Sequence, residues 1–152
     1  MIELANIRTL FDELWPMMHG SQSHKQNCIR QFSQIKKSFE KWPDDFDKLL
    51  AGLDAVEGIG LAIASGLIWS VYQDEAVPFD KYTMTYALTE KILITNSISS
   101  GRYTSACEKV MEYCAGFNYT EEDGTERDYE IQDFVIESME KMREYPALIE
   151  PR

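Results

Sequence analysis

The chain has 152 residues, of which 44% are apolar and 12% aromatic, enough for one domain with a real hydrophobic core. Its formal charge of −11, from 15 Lys and Arg against 26 Asp and Glu, excludes a broadly basic face that grips nucleic acid through phosphates. No apolar run approaches the roughly 18 residues of a membrane span. The acidic start Met1-Ile2-Glu3-Leu4 lacks the basic and unbroken apolar segments of a secretory signal, so a cytoplasmic protein is expected.

The charge is uneven. Residues 1–52 hold seven Lys and Arg against seven Asp and Glu, residues 53–98 hold two against six, and residues 99–152 hold six against thirteen. Any basic patch must therefore lie in the N-terminal third. Three cysteines, Cys28, Cys107 and Cys114, suit a reducing compartment, and the odd count argues against a disulfide framework. Cys107 and Cys114 share one helical face and read as small buried apolar residues. With His19 and His24 as the only histidines, a four-ligand metal or iron–sulfur site is poorly supplied, and no cofactor is expected.

Helical periodicity dominates in chain order. Residues 3–18 set Leu4, Ile7, Leu10, Phe11, Leu14 and Trp15 on one stripe, closed by Pro16 and Gly20. Residues 22–41 repeat the pattern with Cys28, Ile29, Phe32, Ile35 and Phe39. Lys25, Arg30, Lys36, Lys37 and Lys41 form the one cationic grouping, either a solvated face or a track for a nucleic-acid backbone. Trp42-Pro43-Asp44 breaks the chain, and a short helix over 44–51 ends at Gly52. Residues 61–72 are apolar nearly all round and are expected at the centre of the core. Further helices are predicted from Asp80 to about 95, over 103–116 and over 129–144. Asp123-Gly124 marks a turn in an acidic loop that forms a short β-hairpin if Phe117, Tyr119 and Tyr129 flank it. Pro146 and Pro151 mark a tail. The expected fold class is all-α: a single domain of about seven helices containing a helix-hairpin-helix element, with at most one short β-hairpin near 117–130.

The segment from Leu53 to Asp80 carries the functional signal. Apolar residues precede Gly58-Ile59-Gly60, and the small Ala64 follows four positions after the second glycine. The glycines permit a tight turn and close backbone approach to a ligand. The second helix begins at that turn, and the free N–H groups of a helix start suit a phosphate. Downstream, Val77-Pro78-Phe79-Asp80-Lys81-Tyr82-Thr83 opens another helix. Asp80 there is a good N-cap. Lys81 reads as a surface cation or a replacement active-site amine. Tyr82 and Tyr86 share one helical face, as core packing or as a platform for a base.

This pattern resembles the helix-hairpin-helix DNA glycosylase superfamily of the endonuclease III type, over about residues 53–115. The family hairpin reads Leu-Pro-Gly-Val-Gly-x-Lys-Thr-Ala, and an aspartate lies eighteen positions after its lysine slot. Here the slot is Ala62, and Asp80 lies eighteen residues on. The resemblance implies DNA binding through Gly58, Ile59, Gly60, Leu61 and Ala62, with Lys81 and Tyr82 beside them. It also implies a base-excision role for Asp80, stabilising positive charge on the sugar of an extruded nucleotide. Ala62 excludes Schiff-base chemistry at its position, so an enzyme here is a glycosylase without lyase action. Lys81-Tyr82 replaces the family's Thr-His, its four-cysteine loop is absent, and no Lys or Arg lies between residues 49 and 80. These departures leave a second reading open. It is a non-catalytic acidic interaction protein, an inhibitor or nucleic-acid mimic, that docks on a basic protein partner.

Overall fold

A computed structural model describes residues 22–152, and the helix expected over 3–18 lies outside them. Seven α-helices and one two-stranded hairpin make up the described residues, so the fold is all-α. Helix α1 is Gln22–Arg30 and α2 is Phe32–Lys41. The single helix expected over 22–41 is thus two, divided at Gln31. Helix α3, Phe46–Asp54, starts where the Asp45 carboxylate accepts the Lys48 N–H at 3.1 Å. Its residues Leu49, Leu50 and Leu53 point inward at helical spacing.

Helix α4, Leu61–Val71, is the central element: every residue from Ala64 to Val71 is buried. That is the burial expected of a helix apolar on all sides. Helix α5, Lys81–Thr89, begins at a reciprocal capping box between Asp80 and Thr83. It stops well short of residue 95. Lys91 adopts a left-handed φ of 59°, and the N–H groups of Ile92 and Leu93 turn back to the Ala87 carbonyl at 2.8 and 3.2 Å. Those bonds satisfy the carbonyl at the helix end, which offsets the cost of the strained lysine.

A 3₁₀ turn, Ser100–Arg102, leads into α6, Tyr103–Ala115. Strands β1, Asn118–Thr120, and β2, Glu126–Asp128, pair antiparallel with Tyr119 opposite Arg127. Their turn holds Gly124 at φ +87°, a backbone that a side chain rarely adopts. Helix α7, Ile131–Met142, lays Phe134 against Tyr86 of α5, with ring centroids 5.3 Å apart. The tail is tied down: Ile149 N–H donates to Thr85 Oγ1 at 2.8 Å, and Arg152 N–H donates to the Asn96 carbonyl at 2.8 Å. One apolar cluster runs from Cys28 on α1 to Met142 on α7. Among the described residues, no helix is long and apolar enough to cross a membrane.

Candidate nucleic-acid interface

The hairpin is built on two buried side chains. Val56 and Ile59 are 6% and 4% exposed, and the Ile59 N–H donates to the Val56 carbonyl at 3.1 Å. The apolar anchors pin the turn to the core while Glu57, Gly58 and Gly60 face outward. Gly58 has φ +79°, and a Cβ at this position would collide with the Asn27 amide. Gly58 is therefore required twice, by conformation and by close approach. Gly60 differs. It caps α4 in extended conformation, and a Cβ there would meet nothing within 4 Å. The first intrahelical bond runs from Ala64 N–H to the Gly60 carbonyl at 2.9 Å. The N–H groups of Leu61, Ala62 and Ile63 precede it and have no acceptor within the helix.

Helix α1 docks on this turn. The Asn27 side-chain amide donates to the Glu57 carbonyl at 2.7 Å, and the Arg30 guanidinium lies 3.5 Å from the Asn27 side-chain oxygen. An exposed cation from the N-terminal third thus stands two contacts from a hairpin that has none of its own. No local pattern marks Asn27, because its partner is 30 residues away.

The second half of the site is the segment Val77–Asp80, fixed by three elements. From α4, the Ser65 hydroxyl donates to the Ala62 carbonyl at 3.1 Å and accepts the Phe79 N–H at 2.9 Å. From α6, the Tyr103 hydroxyl donates to the Val77 carbonyl at 2.9 Å. From α5, the Thr83 hydroxyl donates to the Pro78 carbonyl at 2.7 Å and accepts the Asp80 N–H at 2.9 Å. Ser65 is the link between the hairpin and Asp80, and its type and position gave no sign of that role.

Asp80 is 7% exposed, and its Oδ1 accepts the N–H groups of Tyr82 and Thr83, each at 2.9 Å. Its capping role is present in full. Lys81 and Tyr82 open α5 half-buried, with the ammonium 5.5 Å from the ring centre of its neighbour. Tyr86 is 1% exposed and packs in the core, with the Lys141 ammonium 5.6 Å from its ring centre, so it does not join Tyr82 as an open platform for a base. Of the residues singled out in the sequence, Gly58, Ile59, Gly60, Leu61 and Ala62 form one continuous turn and helix start, Ile59 through its backbone alone. Lys81 and Tyr82 occupy a second helix start, joined to the first through Ser65. Among the described residues, no group of three or more His, Cys, Asp or Glu side chains could hold a metal ion. No protein-family model matches the chain, and no curated protein or solved structure matches it either.

Proposed function

We propose that this protein is a helix-hairpin-helix DNA-binding protein related to the base-excision glycosylases, and that it holds the DNA backbone at the start of α4. The observation that supports this reading is the docking of α1 on the hairpin through Asn27, which places Arg30 beside the residue that touches a turn whose helix-start N–H groups have no acceptor within the helix. Glu57 and Asp54 are exposed on the same turn and oppose a phosphate. One guanidinium and one helix start against two carboxylates give weak, salt-sensitive binding, near the non-specific range of about 10⁻⁴ to 10⁻⁶ M.

A fluorescence anisotropy titration of duplex DNA at low salt tests this. Gly60→Ala adds a Cβ into open space, so the fold is retained while the phosphate approach is blocked. The expected results are saturable binding, a several-fold loss in Gly60→Ala and Arg30→Ala, and a gain in Glu57→Gln. No binding of the native protein at tens of micromolar would reject the reading. A second reading, an acidic protein docking on a basic partner, draws on the exposed carboxylates of Glu121, Glu122, Asp123, Glu126 and Asp128 around the β-hairpin. It predicts no response to Gly60→Ala.

A further inference from the structure

Helices α5, α6 and α7 and strand β1 line an open cavity of about 610 Å³ that shares no residue with the Gly58–Gly60 turn. Its walls are aromatic: Tyr86, Tyr113, Phe117, Tyr119 and Tyr129. Four carboxylates line it as well, those of Glu90, Asp133, Glu137 and Glu140. Ring faces carry negative electrostatic potential, so this lining suits a cation that keeps an apolar stem against the rings.

The chain already places its own cations on these rings. The Lys141 ammonium lies 5.6 Å from the Tyr86 ring centre and 2.6 Å from Glu137 Oε1. The Arg127 guanidinium lies 4.3 Å from the Tyr119 ring centre. Arg127 spends its charge on Asp133 and Glu121, in contacts of 2.7 and 2.5 Å. Lys141 is matched with Glu137, which also accepts the Tyr129 hydroxyl. Glu90 and Glu140 have no ion-pair partner among the described residues. Glu140 is therefore left without a paired cation, and Glu90 has only the longer-range attraction of Lys141.

We propose that this cavity binds an organic cation on an aliphatic stem, a primary or methylated alkylammonium, and that Lys141 holds the ammonium position when the ligand is absent. Lys141 is exposed and reaches the cavity from the last turn of α7, so it leaves at little cost to packing. An entering ammonium on Glu137 and the Tyr86 face repeats the contacts Lys141 makes. Glu90 and Glu140 line the same cavity as exposed carboxylates and are available to a second charge. A diamine, with two charges for three carboxylates, is therefore expected to bind more tightly than a monoamine.

The test is titration of the full chain with 1,5-diaminopentane, n-pentylammonium and n-pentanol, followed by calorimetry and by NMR of the tyrosine rings. A fourth ligand is a neutral peptide carrying one lysine. Binding is expected in the order diamine, monoamine, alcohol, with about a tenfold loss on removing the charge. Lys141→Met removes the resident ammonium and is expected to tighten diamine binding several-fold. Glu140→Gln is expected to weaken it, and both substitutions lie on exposed positions that leave the fold intact. Tighter binding of the peptide than of the diamine assigns the amine to a protein side chain, and the reverse assigns it to a free amine; either outcome supports the site. Equal affinity for pentanol, no saturable binding at millimolar ligand, or an unchanged affinity in Lys141→Met would overturn it. None of these outcomes depends on DNA binding.

Discussion

The cap that Asp80 makes and the base-excision role proposed for it can be separated by one atom. Its Oδ1 accepts two N–H groups, and both Asp80 and Thr83 are buried, so removing the acceptor leaves donors without water. Asp80→Ala is expected to lower unfolding stability by about 1 to 2 kcal/mol in a urea melt, whereas Asp80→Asn keeps an oxygen and stays within about 0.5 kcal/mol of the native protein. A carboxylate that stabilises positive charge on a sugar has no such tolerance, because the amide is neutral. Damaged-base oligonucleotides cleaved by the native protein and equally by Asp80→Asn would therefore reject Asp80 as the catalytic group. Ser65 and Asn27 act at the same scale. Each replaces solvent for a backbone group of a distant segment, and neither belongs to a pattern that a reader of the chain could detect.

Among the elements, the β-hairpin is the least buried and depends most on charge. Strand β2 delivers Arg127 to α7, where the guanidinium makes a two-pronged contact with Asp133 at 2.7 and 2.8 Å. The Arg127 contact outweighs burial and holds the Asp133 carboxyl below its usual range. A depressed folded-state pKa means that the stabilisation is complete above the unfolded value, about 3.9, and is lost as pH falls through the folded one. The stability difference between the native protein and Asp133→Asn is expected to be constant near neutrality, then to shrink as pH falls below about 4 and vanish in stronger acid. A difference that grows on acidification would contradict the pairing. Glu137 next door follows the same sign. Burial raises its pKa, and the Lys141 and Tyr129 contacts more than reverse that.

At the scale of the whole molecule, the three thiols report on the core. Burial pushes Cys28 up to about 11 and both Cys107 and Cys114 up to about 12. At pH 8 the folded protein is expected to be unreactive to a thiol-specific disulfide reagent, with all three cysteines released together on unfolding in guanidinium. Partial labelling under native conditions would show that one of the three sits in a segment that opens locally.

The chain by itself determined what acts within a few positions. The all-α class, the buried α4, the Asp80 cap and the Gly58–Gly60 turn rest on periodicity, capping and left-handed glycine, which operate over one to four residues. The end of α5 was less legible, because its apolar pattern runs on through Ile92 and Leu93 and only the return of their N–H groups to Ala87 stops it. Tertiary structure alone decided that Arg30 stands beside the Asn27 that docks on the hairpin, how Ser65 joins Ala62 to Phe79, and where the tyrosines and carboxylates line a common cavity. Those contacts span from 14 to 30 residues and more, and such pairs meet only when packed helices choose their faces.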